Sequence, residues 1–436
     1  MKILRIPLVI VLLVVAGRGF NANAQVTETN LHSFVGYPTD GAEPTGGLVQ
    51  GSDGNFYGTT YAGGTYGGYL GGGTVFRISP SGSVTNLHSF VGPPTDGIAP
   101  YAGLVQGSDG NFYGTTYEGG ANGGGTNVGG TVFRISPSGT YTNLHSFTGT
   151  NGDGVFPYAP LVQGSDGNFY GTTYRGGTNK AGTVFRISPS GTYTSLYSFG
   201  SYPADGGLPL AGLVQGSDGN FYGTTVNGGT NSDGTVFRIS PSGSYSNLYS
   251  FGGPPTDGQN PRAGLVQGSD GNFYGTTVNG GTNCLYCGTV FRISPSGTYT
   301  NLYSFGSSPT DGFSPFAGLL QGSDGNFYGT TYGGGAGTNC YEGCGTVFKL
   351  TVPLSPPPYP INQITGVHLS GTNIVFKVVS IAGETYQLQF SSSMKPTNWV
   401  NVAGVSVTNS IGSILTLTNF AGANQPQGFY RFDITP

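Results

Sequence analysis

The sequence predicts an all-β fold: a six-bladed β-propeller closed by its own N-terminal strand, followed by a small C-terminal β-sandwich. Three observations carry this expectation. Eleven residues, Gln-Gly-Ser-Asp-Gly-Asn-Phe-Tyr-Gly-Thr-Thr, occur six times unchanged, at 50–60, 106–116, 163–173, 215–225, 267–277 and 321–331. Successive copies start 52 to 57 residues apart, a period that marks one supersecondary unit used repeatedly. Composition adds the second: Gly is 82 of 436 residues and charge only 8 %, yet aromatics reach 13 % and recur in register. A Gly-rich chain of low charge needs those rings to build a core. The third is a strand count that balances.

Each unit reads as four strands, A to D. In the second, 102–106 is a short apolar strand A, and Ser108-Asp109-Gly110-Asn111 is a tight turn, with Asp for side-chain capping and Gly for a permissive φ. Strand B is 112–117. A Gly-rich loop over 118–130 leads to strand C, 131–135, rich in β-branched and aromatic residues. Pro137-Ser138-Gly139 turns the chain into strand D, 140–147. Four antiparallel strands per unit form a propeller blade. A blade is covered on both faces, so its strands need not alternate apolar and polar.

The chain opens at 29–34 with a D strand that lacks A, B and C, and the repeats end at 345–350 with a C strand that lacks its D. Pairing the two would complete the sixth blade and remove both exposed edges. A β-solenoid is the alternative, but it leaves the orphan strand unexplained.

Residues 1–24 read as an export signal: a basic start (Lys2, Arg5), an apolar stretch over 6–16 and an Ala22-Asn23-Ala24 cleavage site. The protein is expected outside the cytoplasm, extracellular, on the cell surface or periplasmic, with no transmembrane segment in the mature chain. Losing Lys2, Arg5 and Arg18 leaves 12 basic against 19 acidic residues. No basic run occurs, which argues against nucleic acid as a partner.

The recurring pattern Gly-Leu-Val-Gln-Gly-Ser-Asp-Gly-Asn-Phe-Tyr-Gly-Thr-Thr, then Gly-Gly, Gly-Thr-Val-Phe-Arg-Ile-Ser and Leu-His-Ser-Phe, resembles the GloVer tandem repeat of secreted bacterial proteins over roughly 26–350. That resemblance implies varied C-terminal anchoring segments and no assigned activity. More weakly, the unit is similar to the blades of virginiamycin B lyase, and by period to kelch. The lyase comparison would require a catalytic His with acidic partners. His32, His88 and His145 instead share one repeat position with Tyr197, Tyr249 and Tyr303, and His368 stands alone in the tail.

Strands alternate direction, so loops sort onto two faces. The A–B and C–D turns share one face and barely vary. The B–C and D–A loops share the other and vary in length and content. Variable loops on a rigid ring are where specificity resides. Candidate binding residues there are Tyr66, Tyr69, Glu118, Arg175, Lys180, Tyr286, Tyr341 and Glu342. Twelve of fourteen Asp residues occupy two repeating positions, typified by Asp96 and Asp109. With one carboxylate per turn and no Asp-x-Asp-x-Asp spacing, turn capping fits them better than Ca²⁺. Arg77, Arg134, Arg186, Arg238 and Arg292 repeat in strand C and are expected to pair with a carboxylate or carbonyl between blades.

Cys284 and Cys287 fall in one B–C loop, Cys340 and Cys344 in the next. An exported chain with an even count favours two local disulfides. A four-thiolate zinc site or cross-blade disulfides remain alternatives. No metal or other cofactor is expected.

Residues 352–360 form a Pro-rich linker. Beyond it, β-like runs at 373–379, 385–390, 399–402, 413–418 and 429–432 predict the sandwich, with Trp399 as its core anchor. The tail is similar to a C-terminal module of secreted bacterial proteins. Repeat-copied groups supply no asymmetric catalytic cluster. The expectation is therefore a monomeric, non-catalytic binding protein for a glycan or an envelope protein. An extracellular polysaccharide lyase or hydrolase and a purely structural surface protein are the alternatives.

Overall fold

The computed structural model describes residues 29–352 except 66–70, 122–128, 201–202, 204, 309 and 338–342, together with six strands between 364 and 435. The signal sequence, the linker from 353 on and Trp399 lie outside the described residues.

The eleven-residue motif is a packing unit. In the second repeat, strand A (Val105–Gln106), B (Phe112–Thr116), C (Thr131–Ile135) and D (Tyr141–Ser146) form one antiparallel sheet in the order A-B-C-D. The same sheet recurs in repeats 1 to 5. Phe112 and Tyr113 point to opposite faces, and both are fully buried. Each face meets another repeat. Tyr57, Val75 and Phe90 of repeat 1 pack with Leu104, Phe112, Phe133 and Ile135 of repeat 2, and Tyr57 stacks on Phe112 at 3.9 Å. Equivalent clusters join each later pair. Burying such a side chain contributes about 1.5–3 kcal/mol. Gly114 lies in mid-strand because the Phe133 ring lies on it; a Cβ there would come within 2.6 Å of Cζ. A bulge in strand C at Val132–Phe133, repeated in all five sheets, strengthens the blade twist.

Polar groups tie the repeats as well. The Arg134 guanidinium donates to the Pro189 carbonyl of the next C–D turn at 3.3 Å. Arg77 and Arg186 do the same at 3.5 Å. Ser108 N–H donates to Gln163 Oε1 of the next motif at 2.9 Å. In the A–B turn, Asp109 accepts from Asn111 and from the Tyr113 hydroxyl, the latter at 2.7 Å. The residues entering strand A of repeats 1 to 5 line one shared cavity of about 430 Å³. The inner sheet edges therefore converge on a common axis, and the architecture is propeller-like.

The expected N-terminal clasp is not formed. Among the described residues the sixth sheet has three strands, Leu320–Gln321, Phe327–Thr331 and Thr346–Leu350. Residues 29–36 form no strand and lie against repeat 1, where Phe34 packs on Phe76 at 5.1 Å and His32 Nε2 sits 3.0 Å from Asp40 Oδ2. Repeats 1 and 6 each leave exposed the positions that interior repeats cover. Val347 is 81 % exposed, whereas its counterpart Val132 is fully buried. Leu48 is 58 % exposed, against 7 % for Leu104. Among the described residues no strand pairing joins the two ends of the repeat array.

The tail holds two three-stranded antiparallel sheets. One is Ile364–Ser370, Asn373–Val379 and Ile414–Asn419; the other is Val400–Thr408, Thr385–Ser391 and Phe429–Thr435. Leu388 in the second is fully buried.

Candidate binding surface at the channel mouth

The variable loops are held more rigidly than their sequences imply. In each repeat the D–A loop and the B–C loop zip into a two-residue ladder, such as Gly97–Ile98 with Glu118–Gly119 and Gly154–Val155 with Arg175–Gly176. An Asp anchors the ladder. Asp96 is 4 % exposed. Its carboxylate accepts from Val91 N–H (3.1 Å), Gly97 N–H (2.8 Å) and the Tyr141 hydroxyl of the next repeat (2.7 Å), and lies 2.9 Å from His88 Nε2. His88 also stacks on Tyr141 at 3.9 Å, so the His/Tyr repeat position serves packing. Burial pushes the Asp96 carboxyl up, but the bonds from His88, Tyr141 and Val91 outweigh it and hold it below the usual carboxylate range.

Three residues past that Asp the backbone is left-handed in every repeat: Glu43, Ala99, Phe156, Leu208, Asn260 and Ser314 all have φ between +54° and +60°. Non-Gly residues in this region cost on the order of 1 kcal/mol or more each, and such strain clusters at ligand sites. Backbone bonds pin the position: Ala99 N–H donates to Gly72 of the preceding repeat (2.9 Å), and Tyr117 N–H donates to the Ala99 carbonyl (3.0 Å).

These pinned loops display an aromatic arc. Tyr61, Tyr117 and Tyr174 immediately follow the motif; Tyr101 and Tyr158 stand two residues past the left-handed position. Tyr101 lies 4.5 Å from Tyr61, stacks on Tyr158 at 4.8 Å and meets Tyr117 edge-on at 5.3 Å. Tyr117 stacks on Phe156 at 4.8 Å. Tyr101, Tyr158 and Leu210 line the 430 Å³ cavity, so the arc sits at its mouth. Burial and the neighbouring Tyr61 push the Tyr101 hydroxyl up, leaving it a neutral donor. At the same positions repeats 4 and 5 carry Leu210, Val226, Arg262 and Val278. A second aromatic group follows: Tyr286, Phe313, Phe316 and Tyr332 line a cavity of about 540 Å³ with Cys284 and Cys287, and Arg262 lies over Phe316 at 5.4 Å.

The sequence candidates distribute unevenly over this surface. Glu118 and Arg175 flank the arc in their ladders. Burial raises the Tyr117 hydroxyl, with Glu118 adding to it and Arg175 opposing; Arg175 also lies over Tyr174 at 5.3 Å. Burial raises the Glu118 carboxyl. Lys180 is exposed at a loop tip with φ +62°. Tyr286, 70 % exposed, belongs to the second group. Tyr66, Tyr69, Tyr341 and Glu342 lie outside the described residues. Sequence reasoning missed Tyr61, Tyr101, Tyr117, Phe156 and Tyr158. The available signal was the residue after each motif, which runs Tyr, Tyr, Tyr, Val, Val, Tyr; reading strand B through Tyr117 hid it. Cys284 and Cys287 lie at disulfide distance with Cα atoms 5.4 Å apart, and Cys344 is also disulfide-bonded; Cys340 is outside the described residues.

No curated protein sequence matches the chain. Among solved structures it is similar to a protein assigned as a 6-phosphogluconolactonase from Bacteroides uniformis (13 % identity, covering 87 % of this chain and 90 % of that one, TM-score 0.45). It is also similar to the periplasmic gluconolactonase PpgL of Pseudomonas aeruginosa (15 %, 80 % and 95 %, TM-score 0.38) and to a luciferin-regenerating enzyme (13 %, 73 % and 93 %, TM-score 0.39). At these scores the likeness bears on neither blade count nor activity. The model of the Gloeobacter/Verrucomicrobia repeat matches residues 16–216 and 202–355, and the chain belongs to that repeat family.

Proposed function

We propose that this protein is an exported, non-catalytic binding protein on a six-bladed propeller scaffold, and that its ligand is a neutral glycan laid across the aromatic arc. The tail sheets are read as the small sandwich expected from the sequence. One observation carries the binding reading: a strained, pinned loop system brings Tyr61, Tyr101, Tyr117 and Tyr158 together beside one cavity, which Tyr101 and Tyr158 line. Aromatic faces carry negative charge density and attract the C–H faces of pyranose rings. The tyrosine hydroxyls supply the few polar contacts that fix orientation. Low charge overall suits a neutral ligand better than a polyanion.

A second reading has one specific observation behind it. The Tyr61 N–H donates to the Glu43 carbonyl at 2.9 Å, which sets Glu43 beside the arc, and Glu118 flanks Tyr117. Glycoside hydrolysis uses a pair of carboxyl groups, and Glu43 and Glu118 are acidic residues on loops beside the arc.

Affinity electrophoresis of the mature protein through gels containing laminarin, xylan or galactomannan tests both. Retardation by at least one, reduced tenfold or more in apparent affinity by Tyr158→Ala, is the expected result. Equal mobility in all three, or retardation unaffected by Tyr158→Ala, contradicts glycan binding at the arc. Reducing-sugar release that Glu118→Gln abolishes would favour the hydrolase.

A further inference from the structure

The two open ends of the wheel are the two halves of one interface that the chain already uses five times. At an interior junction, the Tyr of strand B and the Val of strand C enter a pocket made by the next repeat, as Tyr57 and Val75 do against Leu104, Phe112, Phe133 and Ile135. In repeat 1 the equivalent pocket is an unfilled apolar groove of about 380 Å³ lined by Leu48, Phe56, Phe76 and Ile78, with Phe34 at its edge. In repeat 6 the equivalent knobs, Tyr328 and Val347, have no next repeat to enter, and Val347 is 81 % exposed.

Hydrogen bonding is split the same way. Interior Thr59, Thr115, Thr172, Thr224 and Thr276 are at most 2 % exposed, and each donates to a carbonyl of the next repeat. Their counterpart Thr330 is exposed. Interior Gln side chains accept from the Ser N–H of the preceding motif; the unmatched pair is Gln50 and Ser323. Among the described residues, strand Thr346–Leu350 has a free edge. Segment 29–36 has the D-strand sequence but forms no strand, yet it keeps the D-strand side-chain bond from Asn30 to Ser33 at 3.0 Å, as Asn86 bonds Ser89 at 2.9 Å.

We propose that the first repeat of one copy of this chain docks on the last repeat of a second copy, head to tail, with residues 29–34 added to strand Thr346–Leu350 of the partner copy. Within one chain the halves do not meet, so a second copy is the occupant whose chemistry already fits. Strand addition supplies main-chain bonds and the groove supplies side-chain specificity. Interior register pairs Thr131 with Ser146 and Val132 with His145; the same register pairs Thr346 with Ser33 and Val347 with His32 across the two copies. The contact is heterologous, so it propagates into chains of copies unless the rotation closes a ring. Within the docking copy, Val84 stands where repeats 2 to 5 have a Tyr, so the Tyr-to-Asp bond seen between Tyr141 and Asp96 has no equivalent with Asp40.

Separately purified single variants Val347→Cys and His32→Cys of the full mature chain, mixed under mild oxidation, test this. The expected product is a covalent dimer that requires both variants. Light scattering of the unaltered protein should show mass rising with concentration. Val347→Asp should shift that rise at least tenfold upward in concentration at unchanged melting temperature, since the side chain is exposed. The proposal is overturned by a monomeric mass at every concentration, by no dimer in the mixture, or by a Val347→Cys/His32→Cys double variant that cross-links only within single chains, which would show the wheel closing on itself.

Discussion

Repeats 1 to 3 and repeats 4 and 5 share one scaffold and differ at the channel mouth. The motif, the Val-Phe-Arg-Ile strand and the buried Thr pairs are the same in both groups. Yet where repeats 2 and 3 place Tyr101, Tyr117, Tyr158 and Tyr174, repeats 4 and 5 place Leu210, Val226, Arg262 and Val278. The positions that stay the same are those enclosed by a neighbouring repeat, where each change of volume or polarity is felt on two faces. The mouth positions lie in the loops outside the four-stranded sheets, and Tyr101, Tyr158 and Leu210 line the cavity, so their side chains can differ without disturbing the stack. Uniform packing and local variation are therefore separate features of the same fold, and the proposed ligand surface lies at the variable positions.

The largest expected effect tests the uniform part. Phe133→Ala in repeat 2 and Phe237→Ala in repeat 4 should each destabilise the protein by about 3–5 kcal/mol, measured by urea unfolding, because both rings are fully buried at equivalent junctions. Markedly unequal losses would break the equivalence of the two groups.

A smaller effect is expected at the loop anchors. Asp96→Asn leaves the Val91 and Gly97 N–H groups and the Tyr141 hydroxyl with a weaker acceptor, a loss of about 1–3 kcal/mol. Acidification reaches the same anchors. The carboxyls of Asp96, Asp153 and Asp311 titrate below their ordinary range; at each, burial raises the value and the hydrogen bonds outweigh it. Their stabilisation is complete above the unfolded carboxylate value of about 3.9 and is lost as pH falls through the lower folded values. Melting temperature should therefore be flat from pH 7 to about 4 and fall steeply below it; a flat profile to pH 2 would contradict the anchoring role.

The smallest effect belongs to the Cys284–Cys287 pair, at disulfide distance with a sequence separation of 3. So short a loop constrains the unfolded chain little, and Cys284→Ser/Cys287→Ser should cost under about 2 kcal/mol. Its detectable consequence should lie in the second aromatic group, beside Tyr286 and Phe313.

Much of this fold is legible in the sequence because both faces of every blade are covered. The buried runs stand out against Gly-rich turns, so 131–135 and 373–379 are read with their observed bounds. The ladders are not legible: backbone forms them, and Asp-Gly announces only a turn. Closure is not legible either, since it depends on how far each repeat rotates from the last, which no single residue type encodes. The tail strand Ile364–Ser370 escaped because Gly366 and His368 blur its alternation. At the site, Glu118 and Arg175 are conspicuous as rare charges in a chain poor in charge. The tyrosines that flank them are hidden among 28 of their kind.

Converting the mouth of repeat 2 into that of repeat 4 tests the division of labour most directly. The double substitution Tyr101→Leu/Tyr117→Val replaces one ring that lines the cavity and one that packs beside it, and polysaccharide retardation in native gels is the readout, with thermal unfolding as its control. Binding lost at an unchanged melting temperature is the predicted result. Binding retained in full, or binding lost only because the protein has become unstable, would contradict the assignment of function to the arc.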